Sequence, residues 1–295
     1  RLREVQRETL VKRIVVVDVA GSLGFPWKSI VRLVQKKHGE RVVVPPAADV
    51  FFLSALLARN AAAPPAAANA PGDVALLQYT GGTTGTPKGA MLTHGNITSN
   101  VVAGLQYLDL TEQDECLSFL PLSHAYEHSG GQFLPVGLGG QIYYAEGLEK
   151  LAANIEEVRP TIMVVVPRLF EVLRARMLKT VEKQGKFAQA LLKRALNLGA
   201  KDMKNGVPIW DKPMNLFINR TLRPKIQKRF GGRMKAMVSG GAPLNPDVGI
   251  FFHSVGLTLL QGYGQTEAGP VISCNRPGAG IAMDTVGPPM KGVEV

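Results

Sequence analysis

The sequence predicts a layered α/β fold, and three observations predict it. From residue 72 onward, strand-length apolar runs alternate with helix-like segments, the pattern of helices packed on a sheet. Three glycine-rich segments each follow such an apolar run, and in open α/β sheets ligands gather at the strand ends. A chain of 295 residues, 45% hydrophobic and 19% charged, has an ordinary globular composition and can bury a large core.

Residues 1–57 read as a partial upstream α/β subdomain: apolar runs at Ile14–Val19 and Val42–Val44 flank a basic helical stretch at Trp27–Lys37. Residues 58–71 are rich in Ala and Pro and read as a linker or surface loop. Residues 72–295 form the core, with a basic helical insert at 168–235. Apolar runs such as Ile14–Val17 and Thr161–Val166 are far shorter than the roughly 20 residues a spanning helix needs. The chain starts at Arg1 without a methionine, and Lys291–Val295 reads as the start of a strand, so both ends are expected to be cuts through a longer protein.

The first glycine-rich segment is Tyr79-Thr80-Gly81-Gly82-Thr83-Thr84-Gly85-Thr86-Pro87-Lys88-Gly89, directly after Val74–Leu77. Glycines let backbone N–H groups approach a polyphosphate, threonines add hydroxyl donors, and Lys88 adds a mobile charge. It is not a Walker A loop, because Lys88 is followed by glycine where Ser or Thr is required. Pro87 disfavours a helix beginning inside the loop. The expected order is strand, phosphate loop, strand, the second strand at Ala90–Thr93.

The second segment, Gln261-Gly262-Tyr263-Gly264-Gln265-Thr266-Glu267, follows Leu257–Leu260. It presents a flat ring beside exposed backbone, then a hydroxyl, then a hard carboxylate of the kind Mg²⁺ accepts. Glu267 stands where a dinucleotide fingerprint has its third glycine. In the third segment, Val238-Ser239-Gly240-Gly241-Ala242-Pro243-Leu244, Met237 replaces the first glycine of a nucleophile elbow, so Ser239 is a poor nucleophile candidate. Its plain structural reading is a strand-to-helix turn with Pro243 at the helix start.

His124-Ala125-Tyr126-Glu127-His128 matches an inverted zinc-protease signature. Two features oppose that reading: Ser129-Gly130-Gly131 is expected to cut the helix short, and no glutamate-bearing second helix is evident as a third ligand. Two cysteines, Cys116 and Cys274, give no disulfide framework. They predict a reducing compartment, the cytoplasm, and read as small buried hydrophobes.

The chain's basicity is local. Residues 168–235 hold eighteen Lys and Arg against four acids, whereas the whole chain carries +11. A solvated helical face and attraction to the inner, anionic face of a membrane both account for this. Nucleic acid is not expected, because interleaved aromatics are lacking.

The first two segments resemble the ATP phosphate loop and the Tyr-Gly-x-Thr-Glu motif of the adenylate-forming superfamily, with Gly81 where the usual form has Ser. Pro121-Leu122-Ser123-His124 resembles that superfamily's acyl-CoA synthetase core. The Val166–Glu171 stretch with its basic insert resembles long-chain fatty acyl-CoA synthetases. The resemblance covers 72–295 well and 1–57 weakly. It implies the layered α/β sandwich of that family's large N-terminal domain, incomplete at both ends. It further implies ATP, Mg²⁺ and coenzyme A as reactants and cofactor, and a fatty acid, an aryl acid or an amino acid as the carboxylate. By the resemblance Thr80–Thr86 and Lys88 hold the β- and γ-phosphates. Gly240, Gly241 and Ala242 flank adenine, with Gln261, Gly262 and Gly264 beside it, and Tyr263 packs on the base. Thr266 meets the α-phosphate, Glu267 holds Mg²⁺, and His124 lines the carboxylate pocket. The family's ribose-binding aspartate, hinge and catalytic lysine lie further C-terminal, in part on a mobile domain. No residue of 1–295 is a candidate for that lysine, so little ligase turnover is expected from this chain alone.

Overall fold

The computed structural model describes residues 13–18, 20–38, 44–45, 47–59, 69–80 and 88–295. The chain divides into two compact units, residues 1–68 and 69–295. In the first, β1 (Ile14–Val16) pairs in parallel with β2 (Val50–Phe52), accompanied by α1 (Trp27–Lys37) and α2 (Leu53–Arg59). Of the second apolar run expected at Val42–Val44, only Val44 is among the described residues, and it is in no strand. Val44 is followed by Pro45, which cannot donate to a ladder, whereas Val50-Phe51-Phe52 supplies branched and aromatic side chains that suit one. Of the expected linker, 60–68 lies outside the described residues, and α2 runs to Arg59.

The second unit opens with an antiparallel pair, β3 (Val74–Thr80) and β4 (Lys88–Thr93), in which Thr80 stands opposite Lys88. α3 (His94–Leu105) follows at once. Thr93 caps it: its hydroxyl accepts from the Asn96 amide at 3.1 Å, and the Asn96 side chain accepts from the Thr93 amide at 3.0 Å. That reciprocal box satisfies two amides the first turn would otherwise leave unpaired.

A six-stranded sheet forms the body: β5 (Glu115–Ser118), β6 (Gln141–Tyr144), β7 (Ile162–Val165), β8 (Ala236–Ser239), β9 (Leu259–Gly264) and β10 (Val271–Cys274). Its spatial order is β10-β9-β8-β7-β5-β6, and every pairing is parallel except β9 with β10. Between β5 and β6 lie α4 (Ala125–Glu127), a π-helix at His128–Phe133, and α5 (Leu134–Leu138). α6 (Leu151–Val158) precedes β7. α7 (Pro167–Lys183), α8 (Lys186–Asn205) and α9 (Lys212–Arg229) form the basic insert before β8. α10 (Pro246–Ser254) joins β8 to β9.

β7 is buried along its whole length. Alternation sends Ile162 to one face with Cys116 and Leu134, and Met163 and Val165 to the other with Leu117 and Met237. The second face carries the larger core. There Phe252 is fully buried, edge-on to Phe170 and Phe251 at ring-centre distances of 5.1 and 5.4 Å. α8 crosses α10 so closely that a Cβ on Gly199 would sit 2.6 Å from the Ser254 Cα.

Three local expectations need correction. Ser129-Gly130-Gly131 does not end the helix. The chain stays helical through a π-turn into α5, and Gly131 packs against the Glu127 carboxylate where any side chain would collide. α10 starts at Pro246 rather than Pro243, because Asn245 supplies the cap, its side chain accepting from the Asp247 amide at 2.9 Å. The terminal Lys291–Val295 forms a turn, not a strand, with the Val293 amide donating to the Met290 carbonyl at 3.0 Å.

Candidate functional site

Because β5, β8 and β9 run in the same direction, the segments leaving their C-terminal ends meet at one edge of the sheet. A cleft of about 640 Å³ opens there. Its lining includes Thr80, His124–Tyr126, Gly240, Gly241 and Gly262–Glu267. Four sequence segments up to 187 positions apart thus converge on one space.

Each segment arrives for a local reason. Thr80 and Lys88 are paired across β3 and β4, with the Thr80 hydroxyl donating to the Lys88 carbonyl at 3.4 Å, so the two residues that bracket the glycine-rich segment sit side by side. Gly81–Pro87 itself lies outside the described residues. β9 continues through Gly262-Tyr263-Gly264 by pairing with β10, which leaves the Tyr263 ring half-exposed beside the cleft. A 3-10 turn at Thr266–Ala268 then exposes Glu267 and half-buries Thr266. Gly241 sits at φ +79°, a conformation that favours glycine. Ala242 is exposed outside the lining, and Gln261 is buried behind it.

His124 caps α4: its Nδ1 accepts from the Tyr126 amide at 3.2 Å. His128 packs edge-on against Phe133 at 4.4 Å, and burial holds its pKa below the ordinary histidine value. Glu127 is fully buried. The Ser118 hydroxyl donates to it at 2.6 Å, the Gln132 amide donates to Ser118 at 3.0 Å, and the Tyr144 hydroxyl donates to Gln132 at 2.8 Å. Burial raises the Glu127 pKa, against the Ser118 hydroxyl and the Leu120 and Phe119 amides, which pull the other way.

Tyr126 is a residue that no sequence motif singled out. Its hydroxyl donates to the Val238 carbonyl at 2.9 Å, and its ring lies where a Cβ on Gly240 would approach to 2.8 Å. Glycine at 240 is therefore required by close approach as well as by any ligand. Behind Tyr126 is a second cavity of about 80 Å³, walled by residues such as Gly104, Gly130, Leu134, Ile162 and Val164. It shares Tyr126, Val238, Val271 and Cys274 with the cleft.

Two asparagines, also missed, hold the walls together. Asn100 on α3 accepts from the Val271 amide at 2.9 Å and donates to the Val271 carbonyl at 3.2 Å. It thereby ties the helix after the hairpin to the strand after Glu267. Asn275 is buried, with its side-chain amide donating to the Ala282 and Thr285 carbonyls at 3.1 and 2.8 Å. No local sequence signal marks either one: Asn100 follows Asn96-Ile97-Thr98-Ser99, and Asn275 precedes Arg276-Pro277-Gly278.

The donor set suits a polyphosphate and a hard cation. Among the described residues neither Lys88 nor Glu267 has an ion-pair partner, so both charges face solvent. The Thr266 hydroxyl and Glu267 carboxylate are oxygen ligands of the type Mg²⁺ takes. One residue before the lining glycines Gly240 and Gly262, the buried Ser239 Oγ and Gln261 Oε1 stand opposite each other in the sheet without a hydrogen-bond partner among the described residues. The edge therefore keeps unused polar capacity.

The family described as AMP-binding enzyme matches residues 1–295. Over 208 residues the chain is 38% identical to the peroxisomal long chain acyl-CoA synthetase 6 of Arabidopsis thaliana, covering 69% of this chain and 28% of that protein. Over 220 residues it is 34% identical to long-chain-fatty-acid–CoA ligase 5 of Rattus norvegicus, covering 70% of this chain and 30% of that one. The chain thus spans about a third or less of the length of these curated relatives. Among solved structures, apo MatB from Rhodopseudomonas palustris superposes with a TM-score of 0.59 at 20% identity, over 99% of this chain and 48% of that one. The anthranilate CoA ligase AuaEII gives 0.56 at 19% identity, over 99% and 47%. These structural likenesses show the layered α/β fold that the sequence predicts.

Proposed function

Because this chain belongs to the AMP-binding enzyme family, we propose that it forms the nucleotide-binding body of an ATP-dependent, adenylate-forming ligase. The observation that carries the reading is the convergence of Thr80, Gly240-Gly241 and Tyr263–Glu267 on one cleft at the sheet's C-terminal edge, with Lys88 paired opposite Thr80. A carboxylate oxygen attacks the α-phosphorus of ATP and pyrophosphate leaves. A thiolate of coenzyme A then attacks the acyl carbon and AMP leaves. Neither step needs a protein nucleophile; the protein positions anions and offsets phosphate charge. In this reading Thr80–Thr86 and Lys88 hold the β- and γ-phosphates, and Tyr263 stacks on adenine between Gly240-Gly241 and β9. Thr266 donates to the α-phosphate, and His124 lies beside the incoming carboxylate. Glu267 holds Mg²⁺, which neutralises phosphate charge when bound.

A long-chain fatty acid is the carboxylate that the curated relatives' names support. A small aryl or dicarboxylic acid is the second reading, and one observation favours it. The apolar cavity behind Tyr126 holds only about 80 Å³, well below the roughly 300 Å³ at which ligand pockets begin. The test has two parts. Titration with ATP should show binding to this chain that Glu267→Ala weakens in the presence of Mg²⁺. Pyrophosphate release by a form extended to the length of its relatives, with palmitate, benzoate, malonate, acetate and amino acids compared, assigns the acid. No nucleotide binding to well-folded chain would overturn the proposal.

A further inference from the structure

The insert between β7 and β8 carries an exposed apolar knob inside a basic surround. The turn Ile209–Asp211 leads into α9, and there Trp210 is 90% exposed and Ile209 66% exposed. Met214, Leu216 and Phe217 on the first turns of α9 are exposed as well. With a rise of about 1.5 Å per residue, these five side chains fall within a stretch roughly 12 Å long. Single exposed hydrophobics are unremarkable, but five together, one of them a nearly bare tryptophan, are not.

The knob is built rather than loose. Asp211, largely buried, receives Arg194 at 2.6 Å and Lys201 at 2.7 Å, so two bases of α8 pin the turn. Beneath it, Ile218 packs with Ala195 and Leu198, and Val207 joins the same cluster. The underside is thereby occupied, and Ile209 and Trp210 are held outward. Lys212 and Arg220 flank the apolar patch on exposed positions of α9, and Lys225 and Lys228 continue the exposed basic positions toward its C-terminus.

We propose that this knob docks the protein on an anionic lipid surface, with Trp210 and Phe217 entering the headgroup–acyl boundary and the α9 bases meeting lipid phosphates. An apolar tip of aromatic and branched side chains beside Lys and Arg is the chemistry of an interfacial anchor. Charge complementarity selects the occupant: the insert holds eighteen bases against four acids, and juxtamembrane bases are attracted to anionic leaflets. A nucleic acid would use the bases but has no use for a cluster of outward aliphatic side chains.

The test is sedimentation of the chain with vesicles of phosphatidylcholine mixed with phosphatidylglycerol, against vesicles of phosphatidylcholine alone. Binding should require the anionic lipid and weaken as salt shortens the screening length from about 10 Å at 0.1 M to about 3 Å at 1 M. Trp210→Ser combined with Phe217→Ser should lower the partition coefficient about tenfold or more, with the circular dichroism spectrum unchanged because both sites are exposed. The chain has two tryptophans, so in a Trp27→Phe background the emission reports Trp210. It should shift to the blue on anionic vesicles and be quenched by brominated lipid. Partitioning unaffected by the double substitution, or Trp210 emission that stays water-like on bound vesicles, overturns the proposal. So does a dimer in ultracentrifugation that the same substitutions abolish while vesicle binding persists.

Discussion

Asn100 lies outside every motif, yet its two bonds to Val271 tie the helix that follows the Thr80–Lys88 hairpin to the strand that follows Glu267. Asn100→Ala removes one donor and one acceptor and leaves the Val271 amide and carbonyl without those partners. Each such bond contributes roughly 0.5–1.5 kcal/mol net, so the loss is about 2 kcal/mol. In a body of this size 1 kcal/mol moves the melting temperature by roughly 2–4 °C, which predicts a fall of about 4–8 °C in a thermal scan. If about 1.4 kcal/mol of that tether aligns Thr80 and Lys88 with Thr266 and Glu267, ATP affinity falls about tenfold by titration. A lower melting temperature with unchanged ATP affinity would refute the claim that Asn100 aligns the two walls. An unchanged melting temperature would refute the energetic worth assigned to the bonds themselves.

Gly240→Ala should cost about 1–3 kcal/mol, because the new methyl meets a Tyr126 ring held in place by its bond to Val238. The same variant should bind ATP more weakly, and a variant as stable and as tight as the parent in chemical denaturation and titration would sink that reading. Glu127→Gln should match the parent below about pH 4.5 and become relatively more stable above it. The raised pKa of Glu127 means its folded-state contribution is fully present below the unfolded value and is lost as pH rises through the folded one. Urea midpoints between pH 4 and 8 check this, and a gap that narrows with pH contradicts it. Cys274 lines the cleft, but burial pushes its thiol up to about 11, so little thiolate exists at pH 7. Alkylation by iodoacetamide should be slow at neutral pH and quicken toward pH 10; fast, pH-independent labelling would contradict that environment.

The strands that frame the cleft were legible because buried parallel strands are written as short continuous apolar runs. Thr161–Val166, Ala236–Val238 and Leu257–Leu260 are of that kind; β7 and β8 fall on the first two, whereas β9 starts at Leu259 and runs on through Gln261-Gly262-Tyr263-Gly264. The glycine-rich segments were legible for a related reason, since a chain leaving a strand end toward a ligand needs backbone without side chains. What stayed hidden is what depends on partners distant in sequence. No sequence pattern assigns Tyr126 a role, because its hydroxyl donates to a carbonyl 112 positions away. Asn100 reaches 171 positions, and nothing local distinguishes it from Asn96, whose capping role follows from its own neighbourhood. The π-turn at His128–Phe133 illustrates the same limit from the other side. Ser129-Gly130-Gly131 carries a local preference against helix, and burial overrules it. Gly131 fits against the Glu127 carboxylate and Gly130 against Val164, where its absent Cβ would sit 3.2 Å from a methyl. Local propensity is a few tenths of a kcal/mol per residue up to about 1 for glycine. A glycine that alone can occupy such a contact avoids an overpacking cost of about 1–3 kcal/mol. The two glycines that looked like a helix stop are therefore what allows the helix to lie close across the sheet face over β5 and β7.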